Sequence, residues 1–126
     1  LSDPARDSVK LLHDMVMTSL EDDQALDIVT IPLAGKSVIA DHMVIASGRS
    51  TRQVASMANK IAERVHKDLG RSVKMQGLAA SDWVLIDAGD VIVHIFRPEV
   101  RVFYGLERMW AMDPPAAERM RPDADG

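Results

Sequence analysis

A chain of 126 residues has room for one compact domain and little more. Its apolar fraction of 47% and charged fraction of 27% are ordinary for a soluble globular protein. No apolar run approaches the roughly 20 residues that span a bilayer. The chain has no cysteine, which excludes disulfides, thiolate zinc sites and cysteine nucleophiles. With no secretory pattern at the start, the expected location is the cytoplasm.

The net charge of −4 hides an asymmetry. Residues 1–27 carry two basic and seven acidic side chains, residues 28–80 eight and three, and residues 81–126 five and nine. Phosphate affinity comes mainly from Lys and Arg, so an acidic chain is a poor general nucleic-acid binder and little direct RNA contact is expected. Most of these charges read as solvated faces.

Ser2-Asp3-Pro4 reads as a helix start, with Asp3 as cap and Pro4 in the first turn. Val9, Leu12, Val16 and Leu20 follow at helical spacing, and the acidic run Glu21-Asp22-Asp23 ends the helix. Two strands are expected next, Ile28 to Leu33 and Val38 to Ala46, with Ser47-Gly48 closing the second. Ser50 and Gln53 form a capping box for a second helix. Val54, Ala58, Ile61, Val65 and Leu69 mark its buried face, and Gly70 suits its C-terminal cap.

A strand near Val73 to Gly77 precedes a hairpin. Its arms, Trp83 to Ile86 and Val91 to Phe96, flank the turn Asp87-Ala88-Gly89-Asp90, where Gly89 supplies the positive φ. Pro98 opens a third helix through Val100, Phe103, Leu106 and Trp110, stopped by Asp113-Pro114-Pro115. The order α-β-β-α-β-β-β-α implies an α/β domain with a mixed sheet of about five strands flanked by helices. The domain is expected to span residues 1–112, with residues 113–126 as a flexible tail.

Asp87, Asp90 and His94 are the residue types that bind metals or relay protons. Turns, however, select Asp and Gly for local hydrogen bonding, and a lone strand-end histidine usually serves a polar neighbour, so a structural reading is preferred. Ser47-Gly48-Arg49-Ser50 before a helix could cradle phosphate through free N–H groups. A metal-dependent phosphoryl transferase also needs two carboxylates one residue apart on a strand. Only Asp123-Ala124-Asp125 has that spacing, and it lies in the expected tail. His13, His42 and His66 stand on separate elements and fit no ligand spacing. No metal and no cofactor are expected, and the chain does not read as an enzyme.

The aromatic residues stand apart from these. Phe96 and Phe103 read as core. Tyr104 and Trp110, six apart on one helix, project at different angles, so at least one is expected at the surface. Asp82, Asp87, Asp90 and Glu107 would complement a basic partner.

Three motifs occur in order: Trp83-x-x-x-Asp87-x-Gly89-Asp90, then Val93-His94-x-Phe96, then Tyr104-x-Leu106-Glu107-x-x-Trp110. Together they closely resemble the ribosomal silencing factor family, also called the Iojap family. The likeness runs from about Val9 to Met112 and includes Ala40-Asp41, the Ile45-Ala46-Ser47-Gly48 strand end, Gln53 and Ala58. It departs at His42-Met43, where many members have two aromatics, and at Pro32, where members often have an acidic residue.

The resemblance implies a nucleotidyltransferase-like fold that has lost the enzyme's role. It implies binding to the large ribosomal subunit at ribosomal protein L fourteen, steric blockage of subunit joining, and lower translation when nutrients run short. The binding role is carried by Trp83, Asp87, Asp90, His94, Tyr104, Glu107 and Trp110. The resemblance also implies a weak homodimer when free. Other readings are a large-subunit assembly factor and a nucleotidyltransferase-like enzyme.

Overall fold

A computed structural model describes residues 4–122. The expected Asp3 cap and the Asp123-Ala124-Asp125 pair therefore lie outside the described residues. Helix α1 spans Pro4–Asp22, and the apolar stripe buries Leu12, Val16 and Leu20. Strand β1 (Leu26–Pro32) pairs antiparallel with β2 (His42–Ser47). A register shift between Leu26 and Val29 accommodates Asp27 at φ 49°. The second strand begins four residues later than expected because residues 33–41 form a tied turn. Lys36 and Ser37 donate backbone N–H groups to the Leu33 carbonyl, and the Ser37 hydroxyl accepts from Ile39 N–H. Val38, expected in the strand, is fully exposed there.

Helix α2 (Thr51–Leu69) starts and stops at the expected residues. Ser50 Oγ accepts from Gln53 N–H at 3.1 Å, and Gly70 closes the helix at φ 64°. Gln53 Oε1 reaches one residue further back than a capping box requires, taking Arg49 N–H at 2.7 Å. Strands β3 (Lys74–Gln76), β4 (Trp83–Asp87) and β5 (Val91–Phe96) complete a five-stranded sheet in the order β1-β2-β5-β4-β3. The β2–β5 pair is parallel and the other pairs are antiparallel, so the sheet is mixed as expected.

Alternation along the strands divides the core in two. One face carries Val44, Ala46, Val84, Ile86, Val91, Val93 and Ile95 against α1 and α2. The other carries Met43, Ile45, Trp83, Leu85, Ile92 and Phe96 under the C-terminal helices. A buried Leu, Ile or Phe stabilises such a fold by about 1.5–3 kcal/mol. The charge asymmetry has a partly internal use: Asp23 pairs with Lys60 at 3.2 Å and Asp22 with Arg64 at 2.9 Å, clamping the end of α1 to α2.

The C-terminal third differs from expectation in two ways. The expected single helix breaks at Gly105, whose φ of 59° caps α3 (Pro98–Tyr104) and starts α4 (Leu106–Met112). The segment expected to be a loose tail from residue 113 instead forms helix α5 (Pro114–Glu118). Asp113 accepts from Ala116 N–H at 3.2 Å, and the two prolines occupy first-turn positions where no N–H is needed. Ala117 is buried in the second core cluster, with Met120 packed beside it. Among the described residues, no helix is long and apolar enough to cross a membrane.

Candidate docking surface

The loop Ser47–Ser50 is tied by several internal hydrogen bonds. Gly48 N–H goes to the Phe96 carbonyl, Arg49 N–H to Gln53 Oε1, Gln53 N–H to Ser50 Oγ and Val54 N–H to the Ser50 carbonyl. A Cβ at Gly48 would sit 2.7 Å from Met57 Cε, so this glycine serves close strand-to-helix packing. Ser47 Oγ accepts from Arg101 Nη1 at 2.9 Å. A phosphate at this helix start would compete with the Ser50 hydroxyl for Gln53 N–H.

Arg101 is itself buried, and Glu107 holds it through Nε–Oε1 at 2.8 Å and Nη2–Oε2 at 3.2 Å. This two-pronged pair spans the Gly105 break and joins α3, α4 and β2. Glu107 thus has a partner within the chain. Trp110 is only 6% exposed, and its Nε1 has no hydrogen-bond partner among the described residues.

Trp83, His94, Phe96 and Tyr104 come together as an aromatic cluster. The Trp83 ring lies 5.0 Å from Phe96 and 4.6 Å from Tyr104, and Trp83 Nε1 donates to His94 Nδ1 at 2.8 Å. That bond puts the neutral ring's proton on Nε2. Burial pushes the His94 pKa down to about 3, with the Arg121 charge adding to the effect. Trp83 and His94 are therefore interior residues that back the surface.

Asp87 and Asp90 lie at the far end of the hairpin from this cluster. Asp87 Oδ1 accepts from Gly89 N–H at 2.9 Å, the local turn bond, and the Asp90 carbonyl accepts from Asp41 and His42 N–H groups. Among the described residues, no group of three or more His, Asp or Glu is placed to hold a metal ion. His13 and His42, on separate elements as expected, bring their rings to 4.7 Å between α1 and β2, tilted by 30°, and His13 Nε2 bonds Thr30 Oγ1 at 3.0 Å. Burial first, and His42 second, lower the His13 pKa.

The exposed feature is α3. Phe103, expected in the core, is 80% exposed, Val102 is 81% exposed and Tyr104 39%. In one continuous helix Phe103 would share a stripe with Leu106 and Trp110; the break at Gly105 turns it outward. The ridge stands between two grooves. One, of about 310 Å³, is lined by Trp83, Val100, Phe103, Tyr104, Gly77 and Pro122, among others. The other, of about 500 Å³, runs past Val102, Pro98, Arg108 and the Arg101–Glu107 pair. At the rim Arg97 is shared between Asp82, at 3.4 Å, and Glu99, which leaves one net negative charge. The sequence reading did not single out the exposed Val102, and it placed Phe103 in the core.

Fold and surface together define a class: an α/β domain with a mixed five-stranded sheet, whose second helix is capped by Ser50 and which exposes an apolar ridge on α3. The family model described as ribosomal silencing factor during starvation matches residues 6–125. The chain is 64% identical over 101 residues to the ribosomal silencing factor of Zymomonas mobilis, covering 80% of this chain and 76% of that one. It is 34% identical over 109 residues to that of Bacillus subtilis, covering 86% and 92%. A crystal structure of a Chromobacterium violaceum protein superposes with a TM-score of 0.77 at 28% identity, over 94% of this chain and 92% of that one. The chain belongs to the ribosomal silencing factor family.

Proposed function

We propose that this chain binds the large ribosomal subunit at ribosomal protein L fourteen and sterically blocks its joining to the small subunit. The observation that carries the surface assignment is the outward α3 ridge, because Val102, Phe103 and Tyr104 are the contiguous exposed apolar residues beside the family's motif block. Large apolar side chains exposed in sequence mark an interaction site, and aromatic anchors supply most of the energy of one. The one net negative charge left by Asp82, Glu99 and Arg97 at the rim suits a basic partner and contributes more to encounter rate than to affinity. Trp83 and His94 act from beneath by holding Tyr104 in place.

The mechanism is competition. A factor bound to one subunit lowers the fraction free to associate, and no bond is made or broken. This reading lowers translation under nutrient limitation and sets the site of action in the cytoplasm. It includes weak self-association of the free protein, which light scattering over a concentration series measures.

Calorimetry with isolated ribosomal protein L fourteen tests the surface. Phe103→Ala is expected to weaken binding at least tenfold while thermal unfolding stays unchanged, since an interface hot spot costs about 2 kcal/mol or more on truncation. Unchanged affinity in a folded Phe103→Ala variant rules out the ridge as the docking surface.

A further inference from the structure

One wall of the groove beside Tyr104 is supplied by Pro122. Pro122, the last described residue, is buried and forms part of the groove wall with Trp83, Phe103 and Tyr104. Its ring seats on Gly77, where an added Cβ would lie 2.8 Å from Pro122 Cβ and 2.1 Å from the Trp83 carbonyl oxygen. Gly77 has φ 87°, so the backbone there both requires glycine and offers a flat seat.

The approach to that seat is anchored at one point and loosely held beyond it. Glu118 accepts from the Ser37 hydroxyl at 2.7 Å, tying α5 to the turn of residues 33–41. After Glu118 the bonds are local. Arg119 and Met120 N–H groups go to the Ala116 and Ala117 carbonyls, and Arg121 Nη1 goes to the Glu118 and Met120 carbonyls. Arg121 borders a neighbouring cleft with Asp87, yet forms no ion pair with a carboxylate among the described residues. Met120 stays packed against the second core cluster, so the part held only by the Pro122 ring and local bonds is Arg121–Pro122, which can leave at small cost.

We infer that Arg121–Pro122 is a strap at the edge of the docking groove and that the ribosomal partner must displace it. The inference rests on the docking function proposed above. It adds that the free protein is self-limited, because Pro122 takes up one side of the groove beside Tyr104 that a partner would use. A ligand whose competent state is populated only in part binds with its affinity reduced by that fraction. A strap closed nine-tenths of the time therefore weakens docking about tenfold. Glu118 sets the fraction by holding the anchor, and Pro122 sets it by filling the seat.

The test uses the full chain, Pro122→Gly and Glu118→Ala, with association and dissociation rates measured on purified large subunits. Hydrogen exchange of the Gly77–Val84 amides is followed in the free proteins. Both variants should bind about 3–10-fold more tightly through faster association, with faster exchange at Gly77–Val84 and unchanged thermal unfolding. Equal affinity in all three proteins overturns the strap and leaves the docking function standing. Weaker binding by the variants also overturns it, since the segment would then belong to the docking surface. If none of the three binds large subunits, the docking function fails and the competition inferred here fails with it.

Discussion

Trp83 and Phe103 show how two aromatic side chains in neighbouring motifs do opposite work. Trp83 is 5% exposed, stacks between Phe96 and Tyr104, and spends its N–H on His94. Trp83→Ala removes a large buried ring and leaves His94 Nδ1 without a donor, so it is expected to lower stability by about 3–5 kcal/mol in urea unfolding. Phe103→Ala at the exposed position is expected to stay within about 0.5 kcal/mol of the parent. A Trp83→Ala variant that folds as stably as the parent would mean that the cluster is not the support described. His94 adds a pH dependence with a definite sign. Its folded pKa lies near 3, below the ordinary 6.5, so the unfolded chain binds the proton more readily. Stability is complete above about pH 6.5 and is lost as pH falls from there toward 3, by up to about 1.4 kcal/mol per unit. His13, also lowered by burial, acts in the same direction. Between pH 6.5 and 5, above the carboxylate range, His94→Asn should show a shallower loss than the parent in denaturation midpoints. Equal slopes would assign the loss to other groups.

The elements whose limits depend on local chemistry were legible in the sequence. Helix α2 begins at Ser50 and ends at Gly70 because a hydroxyl cap and a left-handed glycine act within a few residues of themselves. The hairpin turn was legible for the same reason, with Gly89 at φ 88° and the Asp87 bond to its N–H. Gly105 was not. Its neighbours Val100, Phe103, Leu106 and Trp110 fit one helical stripe, and only the Arg101–Glu107 pair, made across the break, decides for two helices. The exposure of Val102 and Phe103 followed from that break, which is why Phe103 was expected in the core, whereas Trp83, His94 and Trp110 lie buried. Helix α5 was hidden because Pro114-Pro115 reads equally as a stop and as a first turn. Gly105→Ala forces a Cβ into the left-handed region and is expected to lower stability by about 1–2 kcal/mol in chemical unfolding, loosening the α3 ridge as well. A neutral effect would mean that the break is not fixed by Gly105. Arg101→Met removes the buried guanidinium's bonds to Ser47 and to the half-exposed Glu107 carboxylate, which water can still solvate, so a loss of about 1–3 kcal/mol is expected in the same assay.

At the scale of the whole molecule the sheet separates two tasks. Its α1–α2 face is a closed apolar core, with the acidic end of α1 neutralised by Lys60 and Arg64. Its other face supports the broken C-terminal helices, the aromatic cluster and the groove that Pro122 partly fills. Mixed-sheet architecture was legible from the order of elements, whereas the division of labour required the register that sends Trp83, Leu85 and His94 to one side and Val84 and Ile86 to the other. The most direct test of the central claim is sedimentation of purified ribosomal subunits with increasing amounts of this protein and of its Phe103→Glu variant. The account predicts that the parent migrates with the large subunit and depletes joined ribosomes, while the folded variant does neither. Joined ribosomes that persist at saturating parent protein, or a folded Phe103→Glu variant that depletes them equally well, would contradict it.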